Sequence, residues 1–312
     1  MPALRTSLPL KLLSELRQRP NVGGRADWEI GPGLNLNLLI TPSSDLSAFI
    51  RDLWLIDHRH DSSYSTLPDG CPGIVIQLPT ALIDSSGAQI PVAFVYGQTI
   101  QQRTFHTTAG TRTLGVVLEP GALRALFDLD AHILTDDCLD LSELLPADSD
   151  FLERMATRKK PTAQIAMLED FLRRLLRKRR IYEEWRTLRT AYNLISEDAK
   201  LRSIAEIRSE LGISERSLER RFRQWVGVSP RLYGRIVRFQ SAMNYMRAGA
   251  ADFTALAHNS HYSDQSHFIR EFKEFAGTTP AKFRKTFLES VPNFVESRAT
   301  KPGESLPHSE SI

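Results

Sequence analysis

A chain of 312 residues, 41% hydrophobic and 25% charged, is long enough for two domains with ordinary cores. No apolar run reaches membrane-span length, and the opening MPALRTSLPLKLLSELRQRP lacks a signal-peptide core and cleavage site, so a cytoplasmic chain is expected. Two cysteines, Cys71 and Cys138, exclude a disulfide framework and a multi-cysteine zinc site. The net charge of +3 conceals a division: residues 1–160 hold 14 Lys and Arg against 19 Asp and Glu, whereas residues 201–290 hold 15 against 9. The basic part has the electrostatic footprint of a polyanion-binding module, and the acidic part does not.

In chain order, a short helix is predicted over Leu8–Arg17, then a Gly-rich break at Asn21–Arg25. From Leu34 to Val117 the chain changes character. Short apolar or alternating runs (Leu36–Ile40, Ile74–Leu78, Val92–Tyr96, Leu114–Leu118) are separated by turn-rich segments such as Pro68-Asp69-Gly70 and Asp84-Ser85-Ser86-Gly87. Many short strands predict a barrel or sandwich. Trp54, Tyr64, Tyr96 and Phe105 are candidates for lining its interior or for its core. His58 and His60, neighbours but one on a strand, would point to one face. No glutamate follows at a short distance and His106 stands apart, so no metal, cofactor or catalytic residue is assigned.

Thr162–Arg180 predicts a helix whose stripe is Ile165, Leu168, Leu172, Leu175 and Leu176, with a basic cluster at its end. Residues 160–181 thus form a linker or a dimerisation helix; pairing in a homodimer and packing within the chain both fit the stripe. A further helix is predicted over Tyr182–Ile195. After Leu288 the composition turns to Ser, Pro and Glu, and residues 291–312 are expected to be a disordered tail.

Between these lies a repeat. Ser203–Pro230 and Asp252–Pro280 align so that Leu218, Arg220, Phe222, Gly227 and Pro230 stand over Phe268, Arg270, Phe272, Gly277 and Pro280. In each copy a short capped helix, a tight turn and a second helix are predicted, the helix-turn-helix pattern written twice. Ser203 and Glu206 form a capping box, and Ser214 and Ser263 are the expected caps of the second helices. Leu218, Phe222, Trp225 and Val226, matched by Phe268, Phe272 and Phe275, mark the buried faces. The opposite faces carry Arg216, Glu219, Arg220 and Arg223, and Gln265, Ser266, Arg270 and Lys273. Arginine's planar fork fits a guanine edge or phosphate oxygens, and glutamine pairs bidentately with adenine. Pro230 opens a connecting helix to about Arg247.

The string Tyr262-Ser263-Asp264-Gln265-Ser266-His267-Phe268, followed by Arg270-Glu271-Phe272-Lys273, Gly277, Thr279-Pro280 and Phe283-Arg284, resembles the DNA-binding domain of the AraC/XylS family of transcriptional regulators. The resemblance covers about a third of the chain. It implies two units joined by a helix, with Arg216, Glu219 and Arg220 of the first and Gln265, Ser266 and Arg270 of the second facing bases and phosphates. The chain departs from the family pattern at Arg208, where a small alanine is usual, and at His261, where glycine is usual. Leu118-Glu119-Pro120-Gly121 and a helix over Ala122–Phe127 resemble the end of the cupin-like sensing domain found in many of these regulators.

The expected fold class is therefore α+β multidomain: a cupin-like β-barrel with helices over residues 1–155 and an all-α tandem helix-turn-helix domain over 182–290. The expected function is non-enzymatic, sequence-specific binding of duplex DNA in transcription regulation. Expected partners are double-stranded DNA, a small-molecule effector in the N-terminal domain, a second copy in a homodimer and RNA polymerase for an activator, with no membrane. A cupin-type metalloenzyme or a protein-interaction domain fused to a DNA-binding module are the alternatives.

Overall fold

The computed structural model describes residues 26–28, 36–148, 150–177, 182–197, 203–247, 249 and 252–289. The helix expected over Leu8–Arg17, the break at 21–25 and the tail over 291–312 lie outside them.

Among the described residues the N-terminal part has ten strands: β1 (Ala26–Trp28), β2 (Leu36–Ile40), β3 (Ile50–Asp57), β4 (Ser62–Thr66), β5 (Gly73–Leu78), β6 (Ile83–Asp84), β7 (Ala93–Tyr96), β8 (Arg103–Thr107), β9 (Arg112–Leu118) and β10 (Cys138–Asp140). They form a seven-stranded sheet in the order β1-β2-β3-β9-β5-β7-β10 and a three-stranded sheet in the order β4-β8-β6. All pairings within these sheets are antiparallel, and no ladder joins the two sheets into a closed barrel among the described residues. The apolar runs of β5 and β9 pair through Ile74–Val116 and Ile76–Leu114, whose side chains are buried. The smaller sheet has a different chemistry. In the β4–β8 ladder Ser62 meets Thr107, Ser65 meets Thr104 and Ser63 meets His106, with side-chain hydrogen bonds of 2.7–2.9 Å across each pair. Cross-strand hydroxyl pairs contribute where apolar alternation is lacking.

His58 and His60 do not share a face. The ring of His58 is buried past the end of β3, with Thr113 Oγ1 at 2.9 Å and Thr107 Oγ1 at 3.2 Å, whereas His60 is exposed. Burial lowers the His58 pKa to about 4, so the ring is neutral near pH 7.

Helices then cover one side of the larger sheet: α1 (Ala122–Phe127), α2 (Leu141–Leu144), α3 (Phe151–Thr157) and α4 (Pro161–Arg177). The α4 stripe is the element whose partner the sequence left open. Ile165, Leu168, Leu172, Leu175 and Leu176 are all buried in the N-terminal core, and Phe171 stacks on Phe151 with ring centroids 4.1 Å apart. Arg173 reaches Asp45 at 2.7 Å and Glu169 accepts from the Ser43 N–H at 3.0 Å, so polar contacts pin the same helix. The stripe packs within the chain, and its side chains cannot also form a dimer seam in this state.

The C-terminal part is all-helical: α5 (Tyr182–Glu197), α6 (Ile204–Glu210), α7 (Glu215–Trp225), α8 (Pro230–Arg247), α9 (Phe253–Asn259), α10 (Gln265–Ala276) and α11 (Pro280–Glu289). Its core is divided. Trp185, Phe222, Trp225 and Tyr233 belong to the cluster that includes the N-terminal sheet, with Phe49 stacked on Trp185 at 5.3 Å. Ile236, Phe239, Met243, Phe268, Phe272 and Phe275 form a second cluster with Leu67 of the N-terminal part. Helix α8 contributes to both clusters.

Candidate nucleic-acid interface

The two helix-turn-helix units repeat down to single hydrogen bonds. In the first, Leu211 N–H donates to Ile207 O, Gly212 N–H to Ser209 O and Ile213 N–H to Arg208 O; in the second, Ser260, His261 and Tyr262 donate to Leu256, His258 and Ala257. The turn is left-handed at Gly212 (φ 62°) and at His261 (φ 59°). Glycine adopts this conformation freely, whereas His261 holds it at a cost set by its Cβ.

After this shared turn the copies differ by one residue, four (Leu211–Ser214) against five (Ser260–Asp264). The insertion corrects one expectation. Ser214 caps α7, accepting from Ser217 N–H at 3.2 Å, but the cap of α10 is Asp264, which accepts from His267 N–H at 2.8 Å. Ser263 stands one residue too early; its hydroxyl is shared between Asp264 Oδ2 and His267 Nδ1. The backbone donors lower the Asp264 pKa and keep the cap ionised at a positive helix end.

With caps and turns in place, the buried faces are those the apolar spacing indicated: Leu218, Phe222 and Trp225, and Phe268, Phe272 and Phe275. Arg216, Arg220 and Arg223 are exposed on α7 and Glu219 is half-buried. Gln265, Ser266, Arg270 and Lys273 are exposed on α10, and the hydroxyl of Thr254 donates to Gln265 Oε1 at 3.2 Å. Helix α8 joins the units and, at 18 residues, spans about 27 Å.

One positioning group escaped the sequence reading. Glu271, 4% exposed, accepts from Arg235 Nε at 2.8 Å and has Arg238 Nη2 at 3.5 Å, both from α8, while Arg235 also reaches Glu274 at 2.5 Å. The two guanidiniums lie over aromatic rings, Arg235 over Phe275 and Arg238 over Tyr262. This cluster clamps α10 to α8. Its signal was present: Phe268, Glu271, Phe272 and Phe275 follow i, i+3, i+4, i+7, so a carboxylate occupies a buried position of the stripe.

The first unit is held differently. Helix α7 packs on α1 and on the 3-10 turn Ala131–Leu134; Thr135 Oγ1 donates to Gly227 O at 2.7 Å and Arg124 lies over the Trp225 ring. These contacts use the C-terminal end of α7 and leave its basic face open.

A cavity of about 90 Å³ lies between the two sheets of the N-terminal part. Trp54, Tyr96 and Phe105 line it with Val75, Phe94 and Val117; Arg103, Asp69 and Cys138 are among its polar margins. Tyr64 lies on β4, with its side chain outside the described residues. Among the described residues no group of three or more His, Cys, Asp or Glu is arranged to hold a metal, and no helix is long and apolar enough to cross a membrane.

Residues 207–286 match a family model described as a helix-turn-helix domain, and residues 39–140 match a domain of unknown function. A protein of Streptomyces antibioticus described as an AraC-like transcription regulator is 31% identical over 83 residues, 27% of this chain and 27% of that protein. The chain thus spans about a quarter of the length of the curated relative it matches. Among solved structures, ToxT from Vibrio cholerae is similar at 13% identity and a TM-score of 0.40, over 77% of this chain and 98% of that one. An AraC family transcriptional regulator from Rhodopseudomonas palustris is similar at 26% identity and a TM-score of 0.30, over 34% of this chain and 99% of that one. The C-terminal tandem is thus a helix-turn-helix domain similar to the matched segment of an AraC-like transcription regulator.

Proposed function

We propose that the chain is a regulator that reads duplex DNA with α7 and α10 in adjacent major-groove segments. The observation that carries this is the repetition of one capped, left-handed-turn unit with an exposed polar, mainly basic face, joined by a single helix of about 27 Å. Arg216, Glu219, Arg220 and Arg223, with Gln265, Ser266, Arg270 and Lys273, are the proposed contact residues. Arginine and lysine supply most of the salt-dependent affinity, and the side chains that reach base edges supply specificity. The functional units are a sensing part over 1–155, a linker over 160–181 and a reading part over 182–290.

The cavity between the sheets supports control by a small, mainly apolar effector. Homodimer formation and contact with RNA polymerase belong to the same proposal, as does a cytoplasmic location; pairing of two chains must use a surface other than the α4 stripe. The reading is non-enzymatic, and turnover with bound metal in the purified protein would replace it.

The test is footprinting on DNA flanking the coding region, with competitor duplex. Protection over about two helical turns per chain is expected, and Arg220→Ala and Arg270→Ala should each cost about 1–3 kcal/mol on that site. Wild-type affinity in both variants would remove these faces from the interface.

A further inference from the structure

The cavity of the N-terminal part and the helix joining the two reading units share one wall, the segment Leu67–Cys71. On one side Leu67 and Asp69 line the cavity. On the other, Leu67 is buried in the cluster built on Ile236, Phe239 and Met243 of α8, and the Pro68 carbonyl accepts a hydrogen bond from Gln240 Nε2 of the same helix. Gly70 sits at φ 78°, where a Cβ would lie 3.2 Å from the Tyr233 ring, so backbone and helix meet closely. A side chain there would be strained by the backbone and would press the ring aside by a few tenths of an ångström. The segment is also anchored from behind. Gly70 O accepts from the buried Gln98 Nε2 at 2.9 Å, and Arg51 Nη1 donates to Cys71 Sγ at 2.6 Å.

We propose that Leu67–Cys71 is the coupling element of this protein: a compact, mainly apolar ligand in the cavity displaces it and thereby re-seats α8, changing how α7 and α10 are set relative to each other. The regulatory half of this inference rests on the DNA-binding reading above. Two features make the route physically sufficient. Close-packed interiors transmit a displacement of one wall to the side chains behind it. Helix α8 also supplies Tyr233 to the first cluster and Ile236 onward to the second, so a shift near Gln240 acts where the two units join. A ligand acts through this route to the extent that it binds one setting of α8 more tightly than the other.

Cys138 offers a reversible occupant. It lines the cavity, and burial together with Asp137 raises its thiol pKa, so labelling needs mildly alkaline buffer. With benzyl methanethiosulfonate the Cys138 thiolate attacks the sulfenyl sulfur and methanesulfinate leaves. The thiol proton passes to buffer, and a benzylthio group remains as a disulfide that dithiothreitol removes. Labelling is counted by mass, with Cys138→Ser as the control for reaction at Cys71. Hydrogen exchange of residues 236–246 is read without DNA, and affinity is read on the footprinted site.

Labelling should change exchange in 236–246 and shift DNA affinity by about 5-fold or more, both reversing with dithiothreitol. Gln240→Leu and Leu67→Ala, labelled to the same extent, should lose the response. Full labelling with unchanged exchange in 236–246 overturns the proposal, as does a response that survives in both variants. Changed exchange with unchanged affinity overturns its regulatory half. Unlabelled protein that shows no specific DNA binding overturns the DNA-binding reading, while the exchange experiment still decides the coupling.

Discussion

His261 shows what a single residue decides. It takes the left-handed position that Gly212 takes in the other copy, and both turns make the same three backbone hydrogen bonds. The side chain therefore carries a backbone cost that glycine would not. His261→Gly should leave the turn intact and raise the stability of the second unit by up to about 1 kcal/mol, less whatever glycine adds to the entropy of the unfolded chain. Chemical denaturation of the variant would show it, and a loss above that amount would mean that the imidazole makes a contact worth more than the strain. His58 sets a pH dependence. Its folded-state pKa, about 4, lies below the ordinary histidine value of 6.5, so the unfolded chain takes up the proton first as pH falls. The contribution is complete above about pH 6.5 and is lost as pH drops toward 4, on the order of 2–3 kcal/mol in all. Thermal unfolding between these limits should show the loss, and His58→Gln should flatten that part of the profile.

At the scale of elements, the two units share their turns and differ in their fixings. The first is docked by aromatic packing, Trp185 between Phe49 and Trp225, whereas the second is clamped to α8 by the buried Glu271 between Arg235 and Arg238. Removing one member of a buried ionic cluster leaves the others without compensation. Glu271→Ala should destabilise the second unit by about 3–5 kcal/mol, visible as faster exchange in α9 and α10 with α7 unchanged. Equal loosening of both units would contradict a local clamp. The spacing of apolar residues located α7, α8 and α10, each with a buried face of period 3.6, whereas α6 and α9 were legible from their caps and α11 was not predicted. Spacing failed for β4 and β8, whose ladder sets serine, threonine and histidine pairs around the one aromatic pair Tyr64–Phe105 and so has no apolar period to read.

At the scale of the molecule, the division of cores matters more than the division of the sequence. The first helix-turn-helix unit shares a continuous apolar cluster with the N-terminal sheet; the second has its own, touching that part through Leu67 and the half-buried Ile100. Trp185→Ala, which empties the contact among Phe49, Trp225 and Tyr192, should cost about 3–5 kcal/mol and loosen the N-terminal part and first unit together. Exchange in α10 should change little; a matching loss there would show that the whole chain unfolds as one unit. A tandem so arranged has one half fixed to the N-terminal part and the other carried on α8.

What this sequence determined by itself was local and repeated: the caps of α6 and α7, turn positions, the polar faces of α7 and α10 and the helix between them. These follow from short-range backbone chemistry and from periodicity, which each segment carries in its own residues. Tertiary structure decided the rest. It chose the partner of the α4 stripe, because an apolar face specifies burial without naming what covers it. It placed Glu271 between two arginines more than thirty residues away in sequence. It also put Leu67 against both a cavity and a helix, a juxtaposition set by long-range packing of segments that carry no mark of one another.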